Sequence, residues 1–320
     1  MTRPNAFLAL STVALLNASA AAADLLVPDQ FPTIQAAVDA ALPGDKVRIA
    51  DGVYDEGVMV QGKFDLAIKG DDGVFVRMIW VDSSTKVSVK EITYFEQNDY
   101  QLIVTTSNDV DVRFGTFQNG VAGVGAFDSQ KVNVRDSDFL SLGLGVGYSN
   151  CHQSRIAAAF TGTEVSAHVV FGSSNLIEDC PLKNAGSMVV EQSPFTTVRA
   201  NSFKNSNLGL VNTSGCLVEG NKFKKSADAA ILLSGVVNST IQGNSIKKPL
   251  GHGVLTTEGG GGCFLFANKV KKAMLNGVRL ETAGNSLDQN VLKKSKHHDL
   301  FDATFGQNSF GQNAIGTSNL

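Results

Sequence analysis

Six asparagines in the C-terminal half of this sequence, each two residues ahead of an apolar residue, recur at nearly even steps. The pairs are Asn201 before Phe203, Asn221 before Phe223, Asn244 before Ile246, Asn268 before Val270, Asn290 before Leu292 and Asn308 before Phe310. The steps between them are 20, 23, 24, 22 and 18 residues. A period near 22 is neither a helical heptad nor a βαβ unit. It fits one turn of a solenoid, in which each coil repeats the strands of the coil below.

Taking the apolar residue of each pair as an anchor extends the series upstream through Tyr94, Phe117, Phe139, Phe160 and Leu182. Val87-Ser88-Val89-Lys90, Val110-Asp111-Val112-Arg113 and Val132-Asn133-Val134-Arg135 align ahead of the first three anchors. Apolar and polar residues alternate there, which predicts a short strand with one face inward. A further strand is expected at Leu102-Ile103-Val104, Val124-Gly125-Ala126, Leu208-Gly209-Leu210 and Ile231-Leu232-Leu233. The asparagines would then form an inward column in which each amide bonds its own coil and the next, a structural role rather than a catalytic one.

Composition supports short strands and many turns: 32 glycines, 7 prolines and 18% charged residues. Glycine serves positive-φ corners, and proline is hard to place in a strand. A net charge of −3 argues against a general nucleic-acid binder. Residues 1–23 read as a secretory signal, with Arg3 at the start, an apolar run from Ala6 to Leu16 and small residues from Ala18 to Ala23. The run is too short to span a bilayer, and no later segment is long enough. The expected location is therefore secreted or periplasmic. Residues 24–75 form a cap and first coils, and 76–320 the repeats. Four cysteines in an exported chain invite disulfides. Yet Cys216 and Cys263 fall two coils apart on one column, about 10 Å at about 4.8 Å per coil, too far to bridge. Buried free thiols are expected, with a Cys151–Cys180 bridge as the alternative.

The N-terminal end calls for a lid. Thr33 is a good N-cap, and Ile34, Ala37, Val38, Ala41 and Leu42 make one apolar stripe at helical spacing, stopped by Pro43-Gly44-Asp45. Val47-Arg48-Ile49 and Val53-Tyr54 read as the first strands. Thr33 to Val38, Pro43-Gly44-Asp45 and Gly52-Val53-Tyr54-Asp55-Glu56 together resemble the N-terminal cap of pectin-lyase-like right-handed parallel β-helices. Asn238-Ser239-Thr240-Ile241-Gln242-Gly243-Asn244-Ser245-Ile246 resembles a repeat of their NosD-like members. The resemblance spans residues 24–320 and implies an all-β fold, a right-handed parallel β-helix with an N-terminal capping helix. It speaks for the scaffold far more than for an activity.

The family's catalytic motifs do not carry over. Gly251-His252-Gly253 and Asn276-Gly277-Val278-Arg279 are similar to two polygalacturonase motifs, but the two acidic motifs that hydrolysis needs are missing. Both segments fall at one place in successive coils, which makes Gly-His-Gly a turn into a strand. The alginate-epimerase Asp-Pro-His-Asp and the pectin methylesterase signatures are absent as well. Asp136 and Asp138 beside Arg135 are the nearest thing to the acidic cluster of calcium-dependent pectate lyases. Calcium enters through that resemblance only; the residues themselves point to no cofactor. His297-His298-Asp299 with Asp302 looks like a metal cluster, but adjacent residues on a strand face opposite ways, so no metal site is assigned.

The functional lead is charge. Four residues before the anchor the series reads Lys90, Arg113, Arg135, Glu178, Arg199, Glu219, Gln242 and Asp288, with Arg155 one place out of register. Lys90, Arg113, Arg135 and Arg155 would stack like charges about 5 Å apart unless acids or a bound anion neutralise them. A second basic feature follows the anchors: Lys183, Lys204, Lys224-Lys225, Lys247-Lys248, Lys271-Lys272 and Lys293-Lys294, with Lys296 nearby. It reads either as a solubilising ridge or as a track for a polyanion. The expectation is a protein that binds an acidic, uronate-type polysaccharide through Lys90, Arg113, Arg135 and Arg155. If it is an enzyme, lyase or epimerase chemistry is expected, with catalytic residues unassigned. The alternative is a non-catalytic NosD-like accessory or adhesive scaffold.

Overall fold

The computed structural model describes residues 21–257 and 259–320, so the expected signal segment lies almost wholly outside the described residues. The chain winds into about 13 parallel coils of about 22 residues. Most coils contribute three short strands, each pairing in parallel with its equivalent one coil away. The anchors superimpose: Tyr94, Phe117, Phe139, Phe160, Leu182, Phe203, Phe223, Ile246, Val270 and Leu292 are direct neighbours in turn. Val87 and Val89 likewise lie beside Val110 and Val112, and those beside Val132 and Val134. The coils therefore have three facets. The first carries the strands ahead of the anchors, the second the anchor strands, and the third the strands typified by Leu102 and Val124.

Inward residues of all three facets build one continuous core. The rings of Tyr94 and Phe117 stack at 4.6 Å, Phe117 and Phe139 at 4.7 Å, and Phe139 and Phe160 at 5.0 Å, with Phe203 on Phe223 at 4.3 Å. Equal residues at equal register make this stacking automatic, and each buried ring contributes about 1.5–3 kcal/mol. All four cysteines are free and buried, so Cys151 and Cys180 are not bridged. Burial pushes the Cys151 thiol up to about 11 and that of Cys180 up to about 12, which keeps both protonated and inert.

Asn201, Asn221, Asn244, Asn268 and Asn290 form one ladder, each Nδ2 donating to the next Oδ1 at 3.0 Å. Its last member is Asn313, bonded to Asn290 at 3.0 Å, and not Asn308. Leu292 pairs with Ile315, whereas Phe310 pairs with Leu287 on the first facet. Asn308 instead accepts from Asn285 at 3.1 Å in a separate column. The Asn-x-apolar pattern occurs ahead of both strands, and the short 18-residue step was the sign of the jump between columns.

A helix at Ile34–Ala40 closes the N-terminal end. Thr33 Oγ1 accepts from the Ala36 amide at 3.1 Å, and the Glu56 carboxylate accepts from the amides of Ile34 and Gln35 at 3.0 and 3.1 Å. Those bonds satisfy donors that a helix start leaves orphaned. The Gln35 side chain bonds both backbone groups of Met59, which fastens the lid to strand Gly52–Gln61. Ile34, Ala37 and Val38 face the core. Leu42, expected in the same stripe, is 60% exposed because the helix ends at Ala40. Strand Asp24–Val27, like Phe64–Gly70 and Val74–Asp82, is absent from the sequence reading; it precedes the helix and pairs with Lys46–Ile49.

Candidate functional site: two basic facets

On the first facet, Lys90, Arg113 and Arg135 are outward neighbours in register. Arg155 is not the fourth member. The register shifts between Arg135 and Asp138, so Ala157 takes that place and Arg155 pairs with Asn133 in the adjacent outward column. Nor is the column bare. Asp111 sits between two arginines, 2.9 Å from Arg113 Nε and 3.1 Å from Arg135 Nε. Glu178 does the same for Arg155 at 2.7 Å and Arg199 at 2.6 Å, with only 7% of its side chain exposed. Lys69 meets Glu91 at 3.1 Å. Lys90 alone of the four expected contact residues has no carboxylate beside it among the described residues. The repulsion that would have called for a bound anion is thus answered by acids from the neighbouring column, and partly exposed pairs of this kind contribute about 0–1 kcal/mol each.

Asp136, Asp138 and Asp179 line a shallow cavity of about 240 Å³ over Ala157 and Ala159. Among the described residues no group of three His, Cys, Asp or Glu side chains is placed to hold a metal ion. Near the C-terminus Asp299 accepts from the amides of Ser295 and Thr317, and Asp302 from Thr304. These carboxylates cap turns, and His298 packs on Phe301 with ring centroids 5.5 Å apart.

His252 belongs to another ladder. Its Nδ1 accepts from the Asn276 amide at 3.2 Å, and Asn276 Oδ1 accepts from the His298 amide at 3.1 Å. An imidazole that accepts at Nδ1 must be neutral with its proton on Nε2. Burial, and then the Arg279 charge, hold its pKa below the ordinary value. Gly-His-Gly leads directly into strand Val254–Thr257, as expected for a turn into a strand.

The second facet differs in kind. Lys183, Lys204, Lys224, Lys247, Lys271 and Lys293 are neighbours across six successive coils. Each follows an inward anchor, so its side chain emerges on the outer face. At about 4.8 Å per coil the row runs about 24 Å. Lys222 and Lys269 stand on the same outer face two positions earlier, a placement that the alternation in Lys222-Phe223-Lys224 and Lys269-Val270-Lys271 encodes. Among the described residues none of these lysines forms a salt bridge. The neighbouring charges, Lys269 foremost, depress the Lys271 pKa. A groove of about 320 Å³ opens among Lys204, Lys222, Lys224 and Lys247, with the hydroxyls of Ser202 and Ser245 on its walls. This facet stores uncompensated positive charge, and a linear anion would relieve it.

A family model described as a right-handed β-helix region matches residues 149–292. The chain is a right-handed parallel β-helix. Among solved structures, this β-helix is similar to a mannuronic acid specific polysaccharide family 6 lyase from human gut microbiota. The identity is 12%, with 90% of this chain and 87% of that one covered and a TM-score of 0.67. It is also similar to a PL6 family alginate lyase, at 14% identity and a TM-score of 0.62 over 91% of this chain, although it spans only 51% of that enzyme. The A-module of an Azotobacter vinelandii mannuronan C-5 epimerase aligns at 15% identity and a TM-score of 0.50, covering 80% and 93%. At these identities the likeness is one of fold. No curated protein matches the sequence. No helix among the described residues is long and apolar enough to cross a membrane.

Proposed function

We propose that this β-helix is an exported protein that binds an acidic, uronate-type polysaccharide along its second facet. The observation that carries the reading is the six-coil lysine row, in which no lysine forms a salt bridge among the described residues. A polyuronate bears one carboxylate per sugar ring, a spacing of the same order as one coil. That a mannuronic-acid lyase, an alginate lyase and a mannuronan epimerase share the scaffold supports a glycan of this class. The contact moves away from Arg113, Arg135 and Arg155, whose charges Asp111 and Glu178 already answer. No reaction is assigned; Asp111 and Glu178 are each engaged by two arginines.

Titration calorimetry with polymannuronate at low and high salt tests this. Binding is expected at low salt and should weaken as salt screens exposed charge. The combination Lys204→Gln, Lys224→Gln, Lys247→Gln and Lys271→Gln should abolish it, while Arg113→Glu with Arg135→Glu should leave it within about twofold. Absence of binding to polymannuronate and polygalacturonate alike would overturn the reading.

A further inference from the structure

The corner that follows each second-facet strand from Thr116–Gln118 to Val291–Lys293 holds a residue in the left-handed backbone region. In chain order the residues there are Asn119, Ser141, Gly162, Asn184, Asn205, Lys225, Lys248, Lys272 and Lys294. From Asn119 to Lys272 they stack: each amide donates to the last strand residue of the next coil, as in Lys225 to Lys247 and Lys248 to Lys271. Asparagine and glycine suit this conformation best, because a Cβ crowds the carbonyl and only a short polar side chain offsets that locally. Asn184 and Asn205 also bond each other here at 2.6 Å. The next four coils give up both advantages. They place lysine at φ of 58°, 52°, 58° and 61°. Unfavoured residues fill other left-handed corners of this chain, Phe171, Phe195 and Ala267 among them, but among the described residues only this column repeats lysine over four successive coils, and that run points to a demand other than folding.

We propose that Lys225, Lys248, Lys272 and Lys294 form a second row beside Lys224, Lys247, Lys271 and Lys293, and that the two rows hold a linear polyuronate parallel to the solenoid axis. The proposal rests on the second-facet reading above and extends it to the corner. All eight residues are lysine, so recognition is by charge spacing rather than by the bidentate geometry arginine would impose. No aromatic side chain points outward from strands Ser202–Lys204, Lys222–Lys224, Ser245–Lys247, Lys269–Lys271 or Val291–Lys293. The strip therefore lacks the stacking platforms that single-stranded nucleic acid uses, and a carboxylated glycan is the favoured occupant.

The test replaces the four corner lysines with asparagine in the full chain, with the four Lys→Arg changes as the charge-retaining control. Thermal unfolding of the asparagine variant should be unchanged or shifted upward. Its affinity for polymannuronate at low salt should fall about tenfold or more, with a shallower salt dependence, and the arginine variant should stay near the parent. If the asparagine variant binds as the parent does while the Lys204, Lys224, Lys247 and Lys271 glutamine variant does not, the corner row is refuted and the facet reading stands. If the parent binds neither polyuronate, both fall. Equal or tighter binding of single-stranded DNA of matched charge overturns the assignment to a glycan.

Discussion

Replacing Asn244 by alanine removes four hydrogen bonds at once. Nδ2 donates to Val218 O at 3.0 Å and to Asn268 Oδ1 at 3.0 Å; Oδ1 accepts from the Asn221 backbone amide and from Asn221 Nδ2, both at 3.0 Å. At about 1 kcal/mol each the loss is about 4 kcal/mol. It should not fall far below that, since the side chain is 1% exposed and water cannot reach the stranded Asn221 donors. Asn313 supplies the contrast. It also takes four bonds, its Oδ1 accepting from the Asn290 amide and Nδ2 and its own Nδ2 donating to Leu287 O and Gly311 O, but at the half-exposed last coil. Water replaces what Asn313→Ala removes there, so about 1 kcal/mol is expected. Urea unfolding followed by far-ultraviolet circular dichroism reads both, with hydrogen exchange at the Asn221 amide as a local check if coils unfold separately. Equal costs at the two positions, or a loss under about 1 kcal/mol at Asn244, would refute the ladder as a cooperative buried network.

Two further outcomes follow from charge. Glu178→Gln should destabilise by about 1–2 kcal/mol, because it leaves Arg155 and Arg199 facing each other across a buried amide; the value is discounted for the exposure of both arginines. A Glu178→Gln protein as stable as the parent in urea would show that pair to be idle. His252 is needed neutral. Its folded-state pKa lies below 6.5, so the unfolded chain takes up the proton first, and the stabilisation present above pH 6.5 is lost as pH falls through the folded value. His252→Asn keeps an acceptor for the Asn276 amide and should flatten the stability–pH curve below pH 6.5, whereas His252→Ala should lower stability by about 1 kcal/mol at neutral pH. A parent curve with no such slope would contradict the Nδ1 acceptor role.

The anchor register was legible because one strongly apolar residue per coil recurs at the same inward position, from Tyr94 to Leu292. The capping helix was legible from Thr33 and its stripe. Arg155 was half legible: the count placed it one position out of register, but not that the shift after Arg135 gives its place to Ala157. Asp111 was missed for a related reason: it acts across columns, and a comparison of equal offsets sees only one column at a time. Glu178 was already in the series beside Arg199, and only its reach to Arg155 crosses columns. Asn308 shows the same limit, as two columns share one local pattern. The lysine facet needed no such correction, because its members keep a constant offset from anchors that never slip.

The corner-to-corner bonding of the lysine coils also makes the strip extensible. Every coil meets its neighbours through the same backbone partners, so a duplicated segment such as 222–244 would slot in as an additional storey. It would lengthen the basic strip by about 4.8 Å while leaving the storeys beneath it unaltered. The reach of such a surface is therefore a number of repeats, adjustable by whole-unit gain or loss in the gene rather than by reshaping a pocket.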